Sequence, residues 1–130
     1  MTNNDINIPH VVEDITRVFY EYEKALMSND VIALRNYFWD DPRVTRYGIA
    51  DKQWGIDALD EYRKSVPVPN FTRELSGLRV TTIGERMATV QVEFIRTDSP
   101  LRGFQSQTWV MFESEWKIIS AHVSMIAWET

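Results

Sequence analysis

The stretch from Gly103 to Ser124, GFQSQTWVMFESEWKIISAHVS, is the feature that most limits how this chain can fold. Its two halves are rich in strand-forming residues and flank a short polar turn at Glu113 to Glu115. Side chains point to alternate sides along a strand, and here both faces of each half are partly apolar. That pattern is typical of a sheet covered on both sides. The sequence therefore predicts a long antiparallel hairpin with packing partners on each face.

Strict alternation places polar and aromatic side chains together on one side of this hairpin. The members of that row are Gln105, Gln107, Trp109, Met111, Trp116, Ile118, Ser120, His122 and Ser124. Small-molecule pockets combine apolar walls with a few polar groups that fix the ligand's orientation. The alternative is a sheet whose buried polar groups satisfy one another, and the pattern leaves both open.

Length and charge limit the class of protein. A chain of 130 residues is most simply one domain, 1–130, for which we expect residues 1–8 to be a flexible tail. The net charge of −5 argues against nucleic acid as a partner, because phosphate binding needs a basic field. The amino terminus lacks the pattern of a signal peptide, and no apolar run is long enough to cross a membrane. We expect a cytoplasmic protein.

Metal and cofactor chemistry is not expected. The chain has no cysteine, so disulfides and thiolate metal sites are excluded. Its two histidines lie far apart in the sequence, which does not favour a histidine-rich metal centre.

Three helices are predicted in the first half of the chain. Pro9 is suited to the start of the first, whose apolar stripe consists of Val12, Ile15, Phe19, Tyr22 and Leu26. Asn29 or Asp30 can cap a second, short helix, and a third follows Gly55 and ends before Pro67. Within the stripe only Tyr22 has a hydroxyl, which either reaches the space between helix and sheet or bonds a backbone carbonyl.

Strands account for most of the remainder. Arg43 to Gly48 alternates, and Arg46 shares a face with an aliphatic neighbour, so it is either at a solvent edge or paired with an anion. A strand from Phe71 to Ile83 contains a predicted bulge at Ser76 and Gly77. After Met87 to Thr97 comes the hairpin. The order ααβαββββ predicts an α+β fold, a strongly curved, cone-shaped antiparallel sheet packed on three helices.

Several motifs, read with this element order, resemble those of a known family. The motifs are Tyr22 with the following EKAL, SND at 28–30, FW at 38–39, RYG at 46–48, QSQTW at 105–109 and AHVS at 121–124. The chain is similar to the AtzH-like family, also seen as HpxZ-like proteins of oxalurate catabolism. That family lies within the superfamily of nuclear transport factor 2, ketosteroid isomerase and SnoaL-type cyclases. Phe104 departs from the family pattern, in which a basic residue is expected.

The resemblance implies an enzyme. Such proteins are small decarboxylating amidohydrolases of s-triazine (cyanuric acid) and ureide catabolism, which remove one carboxyl group from 1,3-dicarboxyurea to give allophanate. They are encoded beside, or fused to, amidases, so an amidase is an implied partner. The catalytic pair of the family corresponds to Tyr22 and Arg46.

These residue types can support that reaction. Arginine binds a carboxylate through two parallel charge-assisted bonds, so we expect Arg46 to hold one end of the dianion, with Arg73 a candidate for the other. Arg73 has the alternative of a solvated charge at a strand edge. Tyr22 would be the general acid that protonates nitrogen as carbon dioxide leaves; alternatively it orients water for hydrolysis.

The remaining candidates would bind the urea core. Gln107, His122 and Ser124 would form hydrogen bonds to it, and Trp109 would be a wall of the pocket. A histidine, which ordinarily titrates near pH 6.5, has the range of a base, but we assign His122 to binding only.

Other functions fit the same pattern. One is a non-catalytic module that binds a small molecule or dimerises beside an amidase, since fold does not fix function. Another is an isomerase or cyclase with a carboxylate base, for which Glu93 is the candidate. We also expect a homodimer, because Trp, Tyr, Met and Val on the outer sheet face would form a large exposed apolar patch.

Overall fold

Three helices cover one face of a curled six-stranded sheet in this structure, a computed structural model that describes residues 1–128. The helices are α1 (Pro9–Ser28), α2 (Val31–Tyr37) and α3 (Ile56–Ser65). The strands are β1 (Thr45–Tyr47), β2 (Lys52–Trp54), β3 (Arg73–Ile83), β4 (Met87–Arg96), β5 (Arg102–Phe112) and β6 (Glu115–Ile126). The predicted α+β class and the four long antiparallel strands are confirmed.

The sheet order is β2-β1-β6-β5-β4-β3, and it contains one strand that the sequence analysis did not predict. This strand is Lys52–Trp54, which pairs antiparallel with β1 as β2. A three-residue strand is too short to show a periodic pattern. β1 itself runs parallel to β6, with Arg46 opposite Ala121.

Hydrogen bonds from Asn29 join the carboxyl ends of α1 and α3. Pro9 occupies the first turn of α1, as predicted, and Asn29 ends that helix in the left-handed conformation, with φ of 44°. The Asn29 side chain donates at 3.0 Å to the carbonyls of both Arg63 and Val66 at the end of α3. Asp30 caps α2 by accepting from the Ala33 amide at 3.1 Å. The carboxyl ends of two helices are therefore fixed together.

Part of the amino-terminal segment contacts the end of β3. Ile6 bridges Ile83, and the Asn7 side chain accepts from the Thr82 amide at 2.8 Å. The Asn7 amide in turn donates to the Thr82 carbonyl. These bonds pair the last residues of the β3 edge, while residues 1–4 stay exposed, and the flexible tail remains a prediction.

Two irregularities curve the sheet. The predicted bulge at Ser76 and Gly77 is confirmed, since the β3–β4 register shifts there and Gly77 has φ of 63°. A second bulge was not predicted: Thr108 pairs with Ser120 but Trp109 pairs with Ile118, so Ile119 has no partner.

Because of this second bulge, the predicted row of polar side chains on one face of the β5–β6 hairpin is wrong for part of β6. Beyond Ile119 the side chains of β6 change faces, so Ala121 and Val123 share the inner face with Gln105 and Gln107. His122 is opposite Ser106 and Ser124 is opposite Phe104, both on the outer face. One extra residue reverses every later side chain, because the strand period is two.

The outer face is mainly polar where β4, β5 and β6 meet. Its side chains there include Thr89, Gln91, Ser106, Thr108, Ser120 and His122, which border a shallow groove of about 380 Å³. The two tryptophans of the hairpin, Trp109 and Trp116, are buried and contribute nothing to an apolar patch on this face. The homodimer therefore stays a prediction without that argument. Within residues 1–128 no helix has the length and apolar character needed to span a membrane.

Gly103 makes the closest approach in the sheet, because a Cβ atom there would overlap the ring of Phe94. We expect Gly103→Ala to lower the free energy of unfolding by about 1–3 kcal/mol, as overpacking does in cores. Urea unfolding followed by tryptophan fluorescence would measure it. Adding Phe94→Leu should recover part of the loss, and a second substitution that only adds to the loss would contradict this explanation.

Candidate active site

A cavity of about 480 Å³ lies between α1, α3, the segment 66–71 and the inner face of the sheet. Its polar and charged lining residues are Tyr22, Asn29, Arg46, Tyr47, Tyr62, Arg63, Asn70, Arg73, Arg96, Gln105, Gln107 and His122. Leu26, Met27, Val68, Phe71 and Phe94 are among the apolar ones. The structure thus brings Tyr22, Arg46, Arg73 and Gln107 to one cavity, as expected.

Tyr22 is held rigidly by aromatic neighbours. It is 3 % exposed, and its ring meets those of Tyr37, Phe38 and Trp109 edge-on, with centroids 5.8 to 6.1 Å apart. Of the two roles open to its hydroxyl, the bond to a backbone carbonyl is not found. Among residues 1–128 the hydroxyl has no hydrogen-bond partner, although the residue lines the cavity. A fixed phenol is thus available to a ligand.

Arg46 is buried and paired, rather than at a solvent edge. Its side chain is 11 % exposed, and Nη1 donates to Asp51 Oδ1 at 2.6 Å and to Gln53 Oε1 at 2.8 Å. The guanidinium also lies over the Tyr62 ring, 4.9 Å from its centroid. Only Nη1 is used by these groups, so Nε and Nη2 have no partner among the described residues.

Asp51 holds Arg46 in place as an anion. Burial acts to raise the pKa of this carboxyl, but the hydrogen bond from Gln53 and the charge of Arg46 outweigh burial, so its pKa lies below the ordinary 3.8. The pair is therefore ionised at neutral pH.

Arg73 is not a solvated edge charge, and its charge is already compensated. Its Nε donates to Glu23 Oε2 at 2.8 Å, and Nη2 donates to the other oxygen of Glu23. Nη2 also donates to Gln105 Oε1 at 2.9 Å. Both side chains of the ion pair are less than 10 % exposed. Arg73 therefore ties α1 to the sheet, and little of its charge is left for a ligand.

Arg63 is a cavity residue that the sequence analysis did not single out. It is 6 % exposed, and its Nε and Nη2 are buried without any hydrogen-bond partner in residues 1–128. Burial lowers the pKa of its guanidinium, and nearby Arg46 acts in the same direction. The sequence did contain a signal: Arg63 follows Ile56 and Leu59 at i+7 and i+4, on the buried stripe of α3.

The other predicted binding residues have different positions. Trp109 is fully buried behind the cavity rather than in its wall, and its Nε1 donates to Gln107 Oε1 at 3.0 Å. His122 is exposed on the outer face and reaches only the rim, where its ring lies 5.8 Å from that of Tyr47. Ser124 does not line the cavity. Substrate contacts by Trp109 and Ser124 therefore have no support from this arrangement.

No carboxylate lines the cavity among residues 1–128. Glu93, the candidate base of an isomerase or cyclase, is on the outer face and pairs with Arg102 at 3.2 Å. In the same part of the chain, no three side chains of the metal-binding types come together. Tyrosine hydroxyls and arginine charges are the reactive groups that the cavity offers.

Replacing Glu23 by Gln should be costly, because Arg73 would be left as a buried cation with no counter-charge. We expect the free energy of unfolding to fall by about 3 kcal/mol or more. Glu21→Gln is a matched control on the same helix, where a solvent-exposed pair with Arg17 should contribute little to stability. Equal losses in urea unfolding would contradict a structural role for the Glu23–Arg73 pair.

The Asp51–Arg46 pair should be lost only in acid. Since the pKa of Asp51 is lowered, its contribution to stability is present above its ordinary pKa of 3.8 and lost as pH falls through the lower folded value. We expect Arg46→Met to raise this pKa, because the cation is removed while burial remains. Carbon-detected NMR titration of the carboxyl would measure it, and Arg43→Met, which affects Asp41 instead, should leave it unchanged.

Solved structures similar to this chain share its fold over nearly the whole length. One, from Pectobacterium atrosepticum SCRI1043, is a protein of unknown function from the DUF3225 family, 40% identical with a TM-score of 0.94 over 97% of this chain and 98% of that one. Another is a cystatin-like fold protein from Burkholderia xenovorans LB400, 42% identical with a TM-score of 0.91 over 95% and 98%.

More distant structures show the same architecture. An NTF2-like protein of unknown function from Pseudomonas putida KT2440 is 14% identical, with a TM-score of 0.74 over 88% of this chain and 86% of that one. None of the curated proteins compared with the chain matches it. The sequence model of the AtzH-like family matches residues 4–129. The chain belongs to the AtzH-like family, within the NTF2-like fold.

Proposed function

We propose that this protein is a small decarboxylating amidohydrolase that converts 1,3-dicarboxyurea to allophanate. Membership of the AtzH-like family supports an enzyme of this kind. The observation that carries the proposal is the Tyr22 hydroxyl, which has no partner of its own and faces a cavity lined by arginines. A proton donor beside cations is the combination that a carbamate substrate requires.

Binding of the substrate is an electrostatic problem, because dicarboxyurea carries a carboxylate at each end. Arg46 has Nε and Nη2 available while Nη1 is held by Asp51 and Gln53. A guanidinium fixed on one side and open on the other is pre-organised for a carboxylate, so less rotamer freedom is lost on binding. Gln107 supplies a further polar contact for the urea core.

The reaction proposed is cleavage of one terminal carbamate. The bond between nitrogen and the carboxyl carbon breaks, its electron pair stays on nitrogen, and carbon dioxide leaves. Tyr22 gives its proton to that nitrogen and regains one from water, so one proton is consumed overall and allophanate is released. In the hydrolytic alternative water, oriented by Tyr22, attacks the carboxyl carbon. The bond from that carbon to nitrogen breaks, the nitrogen takes a proton from the attacking water, and bicarbonate and allophanate are the products.

A second candidate function is a module that binds an anionic ureide without converting it. It is favoured by one observation: within residues 1–128 no carboxylate base lines the cavity. For either function we propose a cytoplasmic homodimer with an amidase as pathway partner; if the protein is the enzyme, that amidase acts on its product.

The proposed reaction is tested by incubating the purified protein with freshly prepared dicarboxyurea and following carbon dioxide and allophanate. Tyr22→Phe should reduce kcat by about a hundredfold or more, as expected for loss of a general acid. Arg46→Ala should lower kcat/KM, because a charge-assisted contact is removed.

Matched controls are Tyr20→Phe and Arg43→Ala, which change exposed residues near each site residue. Both should retain the wild-type rate. Full activity in Tyr22→Phe would remove the assignment of the acid, and binding without turnover in the wild type would favour the module.

A further inference from the structure

The charges around the cavity do not balance. Four arginines line it, and three of them have carboxylate partners at 3.1 Å or less: Arg46 with Asp51, Arg73 with Glu23, and Arg96 with Asp98. The fourth, Arg63, has no ion-pair partner within the described residues. One positive charge therefore remains uncompensated inside the protein.

Burying an unpaired cation is unfavourable unless something compensates it. Around Arg63 the nearest compensation is the face of Tyr62, 5.5 Å from the guanidinium carbon, which is a weak interaction. Its nitrogens Nε and Nη2 are shielded from water and have no hydrogen-bond partner within residues 1–128. Because Arg63 also lines the cavity, an anion bound there would supply the missing counter-charge.

Two glutamines on the sheet side of the cavity add donors to the arginine on its helical side. Gln105 Oε1 accepts from Arg73, which fixes the amide so that Nε2 is the unsatisfied end, and that nitrogen is buried without a partner. Gln107 Oε1 accepts from Trp109, so its Nε2 is likewise the end left over. Each glutamine therefore presents a donor rather than an acceptor, and donors match the oxygens of a carboxylate.

We propose that Arg63, together with the amide nitrogens of Gln105 and Gln107, forms a carboxylate-binding subsite that selects small dicarboxylates. One carboxylate is held at Arg63, and the second pairs with the free nitrogens of Arg46, whose guanidinium lies beside the same Tyr62 ring. The subsite rests on the proposed function only for the identity of the substrate, since the charge imbalance holds for any ligand. Arg63 is thereby a specificity-determining residue.

The proposal has an unusual consequence for stability. A structural arginine destabilises the protein when it is replaced, but an uncompensated one should do the opposite. Without ligand, Arg63→Met should raise Tm by about 3 °C or more, because a buried charge is replaced by an apolar chain of similar length. The same variant should lose the stabilisation that a dicarboxylate gives the wild type.

Isothermal titration calorimetry with malonate, and with acetate for comparison, tests the subsite. Wild type should bind malonate more tightly than acetate, and Arg63→Met should weaken malonate binding at least about tenfold. Lys64→Met is the matched control, an exposed cation on the same helix, and it should bind malonate as the wild type does. Unchanged malonate affinity in Arg63→Met, or equal affinity of the wild type for the two anions, would overturn the proposal.

The subsite and the proposed reaction can fail separately. If malonate binds through Arg63 but dicarboxyurea is not converted, the subsite stands and the reaction does not. If Tyr22 is needed for turnover while Arg63→Met keeps both malonate affinity and KM, the reaction stands and the subsite does not.

Discussion

One unpaired residue, Ile119, decides which side chains of β6 lie on the inner face of the sheet. Its bulge places Ala121 and Val123 in the cavity and turns His122 and Ser124 outward. Small aliphatic side chains at these positions leave space opposite the helices, whereas the histidine would have filled part of it. The shape and polarity of the cavity therefore follow from a single irregularity in the last strand.

Charge compensation determines what the cavity can bind. Glu23 belongs to α1 and Asp51 to the β1–β2 connection, and each uses its charge on one arginine. These two carboxylates make the arginines structural or pre-organised, because a neutralised guanidinium attracts a further anion less strongly. Arg63 has no carboxylate partner among the described residues, so its positive charge remains available to attract an anion.

Much of the fold could be predicted from the sequence, because long elements repeat their pattern over many residues. The Gly77 bulge and the turn at Glu113 were predicted correctly, and so was the middle of the α1 stripe, Ile15, Phe19 and Tyr22, although Val11 rather than Val12 is buried at its start. A three-residue strand has no periodicity to detect, and an aliphatic bulge residue such as Ile119 carries no glycine that would mark it. Neither β2 nor the Ile119 bulge leaves a recognisable pattern in the sequence, so neither could be predicted from it.

Tyr22 and Arg46 stand out in the sequence as a hydroxyl and a cation on apolar faces, and the family resemblance implied that the two form a catalytic pair. Both line the cavity. Arg63 has the same signal, a cation on the buried stripe of α3, but was not predicted, whereas His122 and Ser124 were misplaced because the bulge at Ile119 reverses the later side chains of β6. The fold is retained in solved structures at 14% identity, so it does not fix function. The side chains left without partners in the described residues are more informative, because a cavity that presents donors and one unpaired charge favours anions. What this cavity can bind is therefore set by those side chains rather than by the fold.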